Sequence, residues 1–398
     1  MLRVITKVVI QQETPYNNIG RSKTVIFNFV HSIECSDSWR DFTNDATIVV
    51  PKNIYYRDKN NELVPLSGNN KNIGGFDGSP LIMRGDKVTI DWGYKYFSKG
   101  KEVFQGTENI KANTHLYEGF VSEVTSKTPI EFKCEDNFWK LKQIPAPLKT
   151  YPATTTLEAM LQDMLKDTQF TVNTLTSTTF GEYKSGNETV AEVLASLRKS
   201  YHFEAYFRGN ELRCGSQVYI SSEAKQYTFT FQKDIISDDL KYKRKDDLVL
   251  SVIASNTNEV ETGEITKDGN NKTKKERIEV LATFRNGSET PEYMVKEKGK
   301  DFPPNTGGER MTIPVPGATT IDQLKERALR LLKLYYYTGF KGKFITFGIP
   351  FVKMGDNVQL IDPILPERNG NYKVKSVKYS GGVKGLRQEV EIDYIIRN

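Results

Sequence analysis

Three histidines, three cysteines and several neighbouring carboxylates are the side chains in this sequence with acid–base, nucleophilic or metal chemistry to offer. The histidines are His31, His115 and His202. None stands in a His-Glu-x-x-His helix, and none pairs with cysteine at the spacing of a zinc site. His31 and Cys35 are four residues apart, but alternation places them in or beside a strand, where that spacing makes no zinc pair. The strained Gly-x-Ser-x-Gly turn of a serine nucleophile is missing, as is the phosphate-cradling Gly-x4-Gly-Lys-[Ser/Thr] loop. Glu135-Asp136, Asp238-Asp239 and Asp246-Asp247 are adjacent, so on a strand their carboxylates point to opposite faces and share no substrate. Two carboxylates distant in sequence can still meet in a fold, which keeps a cell-wall polysaccharide hydrolase as the rival reading. The expectation is a protein with no catalytic, cofactor-binding or metal-binding residues, and not an enzyme.

Binding chemistry gives as little. Lys272-Thr-Lys-Lys-Glu-Arg277 is a basic run, but Glu259, Glu261 and Glu264 nearby make it one part of a mixed-charge exposed segment. Leu334-Tyr-Tyr-Tyr337 reads as a helix packing into a core; a base-stacking platform would interleave aromatics with Lys and Arg on one sheet face. The net charge of +6 over 398 residues is mild, and no sequence-specific nucleic-acid binding is expected. No stretch of 18 uninterrupted apolar residues occurs, so no membrane insertion by a helix is expected. Cys35, Cys134 and Cys214 are odd in number and far apart, which predicts no disulfide framework and assembly in a reducing cytoplasm.

The elements around these residues are mostly strands. With 20 Tyr and 21 Phe the chain is rich in rings that pack well on a pleated surface. Alternation predicts a first strand over Leu2–Ile10, then strands at 24–29, 46–51, 87–92, 118–125 and 129–134, with Gly68–Ser79 as a loop. The proline-rich segment Pro145–Pro152 marks a change of pattern. Beyond it Leu157, Met160, Leu161, Met164 and Leu165 share a helix face, with Thr155 and Glu158 as a capping box. A second helix spans Thr189–Tyr201, with Thr189/Glu192 as its box and Val190, Val193, Leu194 and Leu197 inward; a hairpin at 203–214 follows. Tyr227, Phe229 and Phe231 alternate in a new strand, and a third helix runs from Thr320 to about Tyr337. Between them residues 256–310 are polar and read as an insertion, with Asp268–Arg277 as a hairpin tip and Phe302–Gly308 as a loop.

An internal repeat organises these pieces. Pro80-Leu-Ile-Met-Arg-Gly-Asp-Lys-Val-Thr-Ile90 matches Pro350-Phe-Val-Lys-Met-Gly-Asp-Asn-Val-Gln-Leu360 at Pro, Gly, Asp and Val. Gly-Asp suits a tight turn, with Gly taking the backbone angle other residues avoid and Asp bonding nearby amides. Downstream, Gly119-Phe-Val-Ser-Glu-Val124 parallels Tyr372-Lys-Val-Lys-Ser-Val377, and Ile130–Cys134 parallels Val390–Tyr394. Two related β modules are therefore expected.

In order and length the chain resembles baseplate hub proteins of tailed phages, of the late control protein D type, and the hub-like part of type VI secretion spikes. The resemblance rests on Gly186–Tyr201 with the hairpin to Cys214, and on residues 320–398, where a helix leads into Phe347–Val358 and Gly370-Asn-Tyr-Lys-Val374. It implies an α+β, mostly β fold: a tube-type β-barrel module at 1–148, a small α/β domain at 149–222, and a second barrel module at 223–398 interrupted at about 256–310. It further implies a homotrimer whose six modules ring a delivery channel, adapting a six-fold tail tube to a three-fold spike. The implied partners are the tail tube or distal tail protein, a tape measure protein and a central spike. Since the sequence ends at Asn398 without a β-helical needle or a fused lysozyme domain, the spike is expected to be a separate chain. The implied location is the virion tail baseplate, assembled in the bacterial host cytoplasm; a phage-derived contractile injection system or type VI-like hub is the alternative within the class.

Overall fold

A computed structural model describes residues 2–13, 15, 21–51, 55–57, 61–65, 81–99, 101–102, 114–125, 129–174, 182–201, 204–215, 224–265, 271–305, 307–315, 317–382 and 385–397. The expected loop Gly68–Ser79, Pro80 of the repeat and His202 lie outside them. Strand accounts for 51% and helix for 15%, so the chain is mostly β.

The first strands are β1 (Leu2–Gln11), β2 (Thr24–Phe27), β3 (Ser32–Ser38), β4 (Asp45–Val49), β5 (Tyr55–Arg57) and β6 (Leu63–Pro65). After them come β7 (Lys87–Ser98), β8 (Lys101–Glu102), β9 (Thr114–Val124) and β10 (Glu131–Glu135). A middle segment alternates α1 (Phe138–Leu141), β11 (Thr150–Tyr151), α2 (Leu157–Leu165), β12 (Thr171–Thr174), β13 (Tyr183–Lys184), α3 (Val190–Tyr201), β14 (Glu204–Arg208) and β15 (Glu211–Gly215). Next are β16 (Gln226–Thr230), β17 (Ile235–Lys243), β18 (Val249–Ile265), β19 (Asn271–Arg285), β20 (Glu292–Val295), β21 (Glu309–Pro314) and α4 (Ile321–Tyr335). The chain closes with β22 (Gly339–Phe347), β23 (Asn357–Ile361), β24 (Gly370–Gly382) and β25 (Gly385–Ile395).

Fourteen strands join one sheet whose main path is β17-β22-β25-β24-β3-β4-β10-β9-β7-β1-β2, with β23 and then β16 branching from β24. Among the described residues the strands of both expected modules join this single sheet, with no closed barrel there. Within it the same strand order occurs twice, although β1 runs antiparallel to β7 and β16 runs parallel to β23. The N-terminal unit runs β1-β7-β9-β10-β4-β3 and the C-terminal unit β16-β23-β24-β25-β22-β17, so the first, fourth, fifth, sixth, third and second strand of each lie side by side. One core serves both: Val8, Ile48, Trp92 and Phe132 from the first unit are continuous with Phe229, Phe344, Val358 and Val377 from the second.

Two smaller layers have their own cores. In the middle segment α2 buries Leu157, Met160, Leu161, Met164 and Leu165, and α3 buries Val190, Val193, Leu194 and Leu197, together with Phe207 and Leu212 of the β12-β15-β14 sheet. The cap of α2 is Thr156, whose hydroxyl accepts from Ala159 N; Thr155, the expected cap, stands one residue too early. Thr189 and Glu192 do form the reciprocal box of α3, since each side chain accepts from the other residue's backbone N–H. The second layer is the sheet β20-β19-β18-β21 covered by α4, with Leu324, Ala328 and Leu332 against Leu250, Val252, Val280 and Phe284. Its strands begin at Val249 and take in the segment 256–310. From Asn271 onward the expected hairpin tip is strand, Arg277 pairing with Thr257, while 268–270 lie outside the described residues.

Candidate assembly interface

Each unit turns on a Gly-Asp pair in the same way. Gly85 and Gly355 have φ of 92° and 85°, a left-handed conformation that favours glycine. Gly85 N donates to Val121 O, and Val121 N to Asp86 O, at 2.7 and 2.8 Å. Gly355 N and Val374 N do the same with Val374 O and Asp356 O, at 3.0 and 2.9 Å. Each aspartate also accepts from the amide three residues before it, Met83 N at 2.9 Å and Lys353 N at 2.8 Å. The next feature is duplicated too. A β-bulge places one extra residue on the fifth strand, Ser122 between the pairs Val121↔Cys134 and Glu123↔Lys133, and Lys375 between Val374↔Ile392 and Ser376↔Glu391. This register makes Phe132 and Cys134 the counterparts of Val390 and Ile392. The sequence comparison, which set Ile130–Cys134 against Val390–Tyr394, is two residues out.

The two turn aspartates differ in company. Asp86 is gripped by Arg21, whose Nη1 and Nη2 donate to its two oxygens at 2.7 and 2.8 Å with both side chains buried. Asp356 accepts from the backbone amides Lys225 N at 3.0 Å and Lys353 N, with no side-chain donor among the described residues; burial raises its carboxyl pKa against the pull of those amides and of the nearby Arg208 and Lys225 charges.

The units meet where β3 of the first pairs antiparallel with β24 of the second, over Ser32–Ser38 and Ser376–Gly382. β24 is long enough to hold β23 along its start and β3 along its far half, on the same side. At one end of this seam Trp92 of β7 packs against Gly381; a Cβ on Gly381 would stand 3.0 Å from indole Cε2 and closer still to Cζ2 and Cη2. Tyr94 O–H donates to Leu386 O nearby, at 3.4 Å. At the other end Asp37 accepts from Met354 N at 3.0 Å, and Arg208 of β14 donates to both Asp37 Oδ1 (3.1 Å) and Met354 O (2.7 Å). That one guanidinium ties the middle layer to both units. On the polar face Lys378 and Glu34 pair across the seam at 2.8 Å.

The middle layer also contacts the β3–β4 turn, where Arg198 stacks over Phe42, donates to Arg40 O and pairs with Glu204 at 2.8 Å. Burial drives the Glu204 carboxyl up to about 7 despite Arg198 and Arg40. Asp136, buried, is likewise pushed up to about 7 by burial, although Phe138 N and Asn44 N donate to it at 3.0 and 3.1 Å. Between the three parts lies a pocket of about 340 Å³ lined by Asp37, Asn44, His115, Asp136, Arg208 and Lys353 among others.

Residues singled out for chemistry are dispersed. His31 is exposed, whereas Cys35 is buried in the core. His115 lies on the exposed side of β9, 3.3 Å from Asp91. Glu135 and Asp136 part company as expected, Glu135 pairing with Lys142 while Asp136 turns inward. Asp238-Asp239 sit on β17 and Asp246-Asp247 in a short turn. Among the described residues no three His, Cys, Asp or Glu converge as metal ligands. Tyr336 and Tyr337 are buried, the first in the α4 layer and the second in the shared core. The residues that hold the seam — Asp37, Trp92, Arg208, Gly381 — have no local signature in the sequence.

No protein-family model matches the chain, and no curated protein matches it by sequence. Solved structures do. The 43 kDa tail protein of prophage MuSo2 from Shewanella oneidensis aligns over 100% of this chain and 98% of its own, at 13% identity and a TM-score of 0.51. The tail protein from Neisseria meningitidis MC58 aligns over 98% of this chain and 96% of its own, at 11% identity and a TM-score of 0.50. What the chain shares with these two phage-tail proteins, along almost its whole length, is the fold.

Proposed function

We propose that this chain is a structural subunit of a phage-tail baseplate, a hub that assembles as a homotrimeric ring and carries out no catalysis. The observation that carries the reading is the six-strand order that occurs twice, side by side in one sheet, which supports reading each chain as two ring positions. The fold held in common with two tail proteins supports the setting. Three copies would set six such units around a channel, matching a six-fold tail tube above and a three-fold spike below. The units are 1–148 and 223–398, each contributing a barrel wall, with 149–222 as the α/β layer and the α4-bearing layer as an insertion in the second. The tail tube or distal tail protein, the tape measure protein and a separate spike are the proposed partners. The setting is the virion baseplate, assembled in the host cytoplasm.

Gel filtration with multi-angle light scattering tests this directly. A mass three times 45.4 kDa, with ring-shaped particles in negative stain, is the expected result. A monomer at every concentration, alone and with a spike protein present, would overturn it.

A further inference from the structure

The intrachain seam is a template for a contact between copies, and it specifies which edges meet. Each unit offers two flanks: its second strand at one end of the strand order, and the far half of its fifth strand, beyond the reach of the fourth. Inside the chain the second strand of the N-terminal unit, β3, occupies the far half of the fifth strand of the C-terminal unit, β24. The reciprocal pair is unfilled. β17, the second strand of the C-terminal unit, pairs with no described strand except β22, though its Lys243 Nζ donates to Tyr335 O of α4 at 3.1 Å, and Ile236, Asp238, Asp239 and Lys241 along it are exposed. β9, the fifth strand of the N-terminal unit, is held by β7 only as far as Phe120 and by the Gly-Asp turn at Val121. No described strand covers that side of Ser122–Val124.

The geometry points to β17 of one copy pairing antiparallel with the far end of β9 of the next, as β3 pairs with β24. This inference rests on the ring reading and adds its register. Because the bulges and turns correspond, Ser376 is the counterpart of Glu123, and Val377 of Val124. Stepping through β10/β25 and β4/β22 makes Ile33 the counterpart of Asp238, hence Ser38 of Lys243 and Asp37 of Tyr242. The seam pair Ser376↔Ser38 then becomes Glu123↔Lys243 between copies, and Val377↔Asp37 becomes Val124↔Tyr242. Opposite charges meet at the first position, where within the chain Glu123 pairs with Lys133 at 2.8 Å and Lys243 donates to Tyr335 O at 3.1 Å, and apolar side chains meet at the second. The two flanks differ, so the contact is head-to-tail and closes into a ring or runs on as a filament. Filling it also removes two open strand edges per chain.

Paired cysteines test the register. The variant carrying both Glu123→Cys and Lys243→Cys, oxidised mildly, is expected to give reductant-sensitive multimers on a denaturing gel. Each single variant is expected to remain one chain, and a mixture of the two singles to stop at dimers. Light scattering on the same samples separates the possible failures. Rings without cross-links would overturn the edges and register named here and leave the ring standing; the absence of rings would overturn both. A charge exchange guards against a cysteine pair that folds poorly. Glu123→Lys or Lys243→Glu alone is expected to weaken association about fivefold, and the two together to restore it. Additive weakening with no restoration would also overturn the register.

Discussion

Replacing Gly381 by alanine is the sharpest test of how the two units are joined. The methyl group would lie 3.0 Å from Cε2 of Trp92 and nearer to Cζ2 and Cη2, whereas carbon atoms in ordinary contact sit about 3.5–4.0 Å apart. Trp92 is 1% exposed, and the core around it is continuous through both units, so the indole has nowhere to retreat. Overpacking costs about 1–3 kcal/mol where side chains can adjust. Here the obstacle is a rigid bicyclic ring and the moving part is a strand held on both sides by β3 and β25, so the cost belongs at the top of that range, about 3 kcal/mol. Urea unfolding followed by circular dichroism reads it as a fall in midpoint. Gly186→Ala is the control, because nothing stands within 4 Å of a Cβ there, and it should leave the midpoint in place. Trp92→Phe in the Gly381→Ala background removes the six-membered ring that is struck, so the double variant should lose less than the sum of the singles. A Gly381→Ala protein within about 0.5 kcal/mol of the parent, with no coupling to Trp92→Phe, would refute the packing argument.

Three further outcomes follow from the buried charges. Arg208→Ala should cost about 2 kcal/mol through lost charged hydrogen bonds and free the middle layer first, read as early proteolytic cleavage within 149–222 while the large sheet stays protected. Arg21→Met leaves Asp86 buried without its cation and should cost about 3–5 kcal/mol in urea unfolding, more than Lys225→Met, since Asp356 relies on backbone amides. Asp136 binds its proton more tightly folded than unfolded, so its contribution is present below about pH 4 and is lost as pH rises through about 7. Stability should therefore fall between about pH 4 and 7, at up to about 1.4 kcal/mol per pH unit, and Asp136→Asn should flatten that slope; an unchanged slope would dismiss Asp136 as its source.

The helices and the Gly-Asp turns were legible because their signals are local: apolar spacing on α2 and α3, the Thr189/Glu192 box, and a glycine that the turn demands. The strand comparison slipped by two residues for an equally local reason. Side chains alternate with period two, so sliding Ile130–Cys134 by two positions leaves every residue on the same face; only the bulges at Ser122 and Lys375 fix the register. The seam was invisible. β3 reads Ser-Ile-Glu-Cys-Ser-Asp-Ser, too polar to announce a strand, and its partner β24 lies more than 300 residues along the chain. β17 is mostly exposed and has no apolar alternation to find. Nor does any sequence rule join Arg208 to Asp37 and Met354, since only the folded layers bring them together.

The seam between β3 and β24 also has a mechanical character. Its ladder spans seven residues on each strand, with hydrogen bonds perpendicular to the strand direction. Sliding one unit past the other along the strands must break all of them together, while prying the strands apart breaks them one at a time from an end. Both ends are pinned: the Arg208 clasp on Asp37 sits beside Ser38, and Trp92 rests on Gly381 beside Gly382. The joint therefore resists shear along its length and has no loose end at which unzipping can start, so the two halves of the chain move under load as one stiff plate.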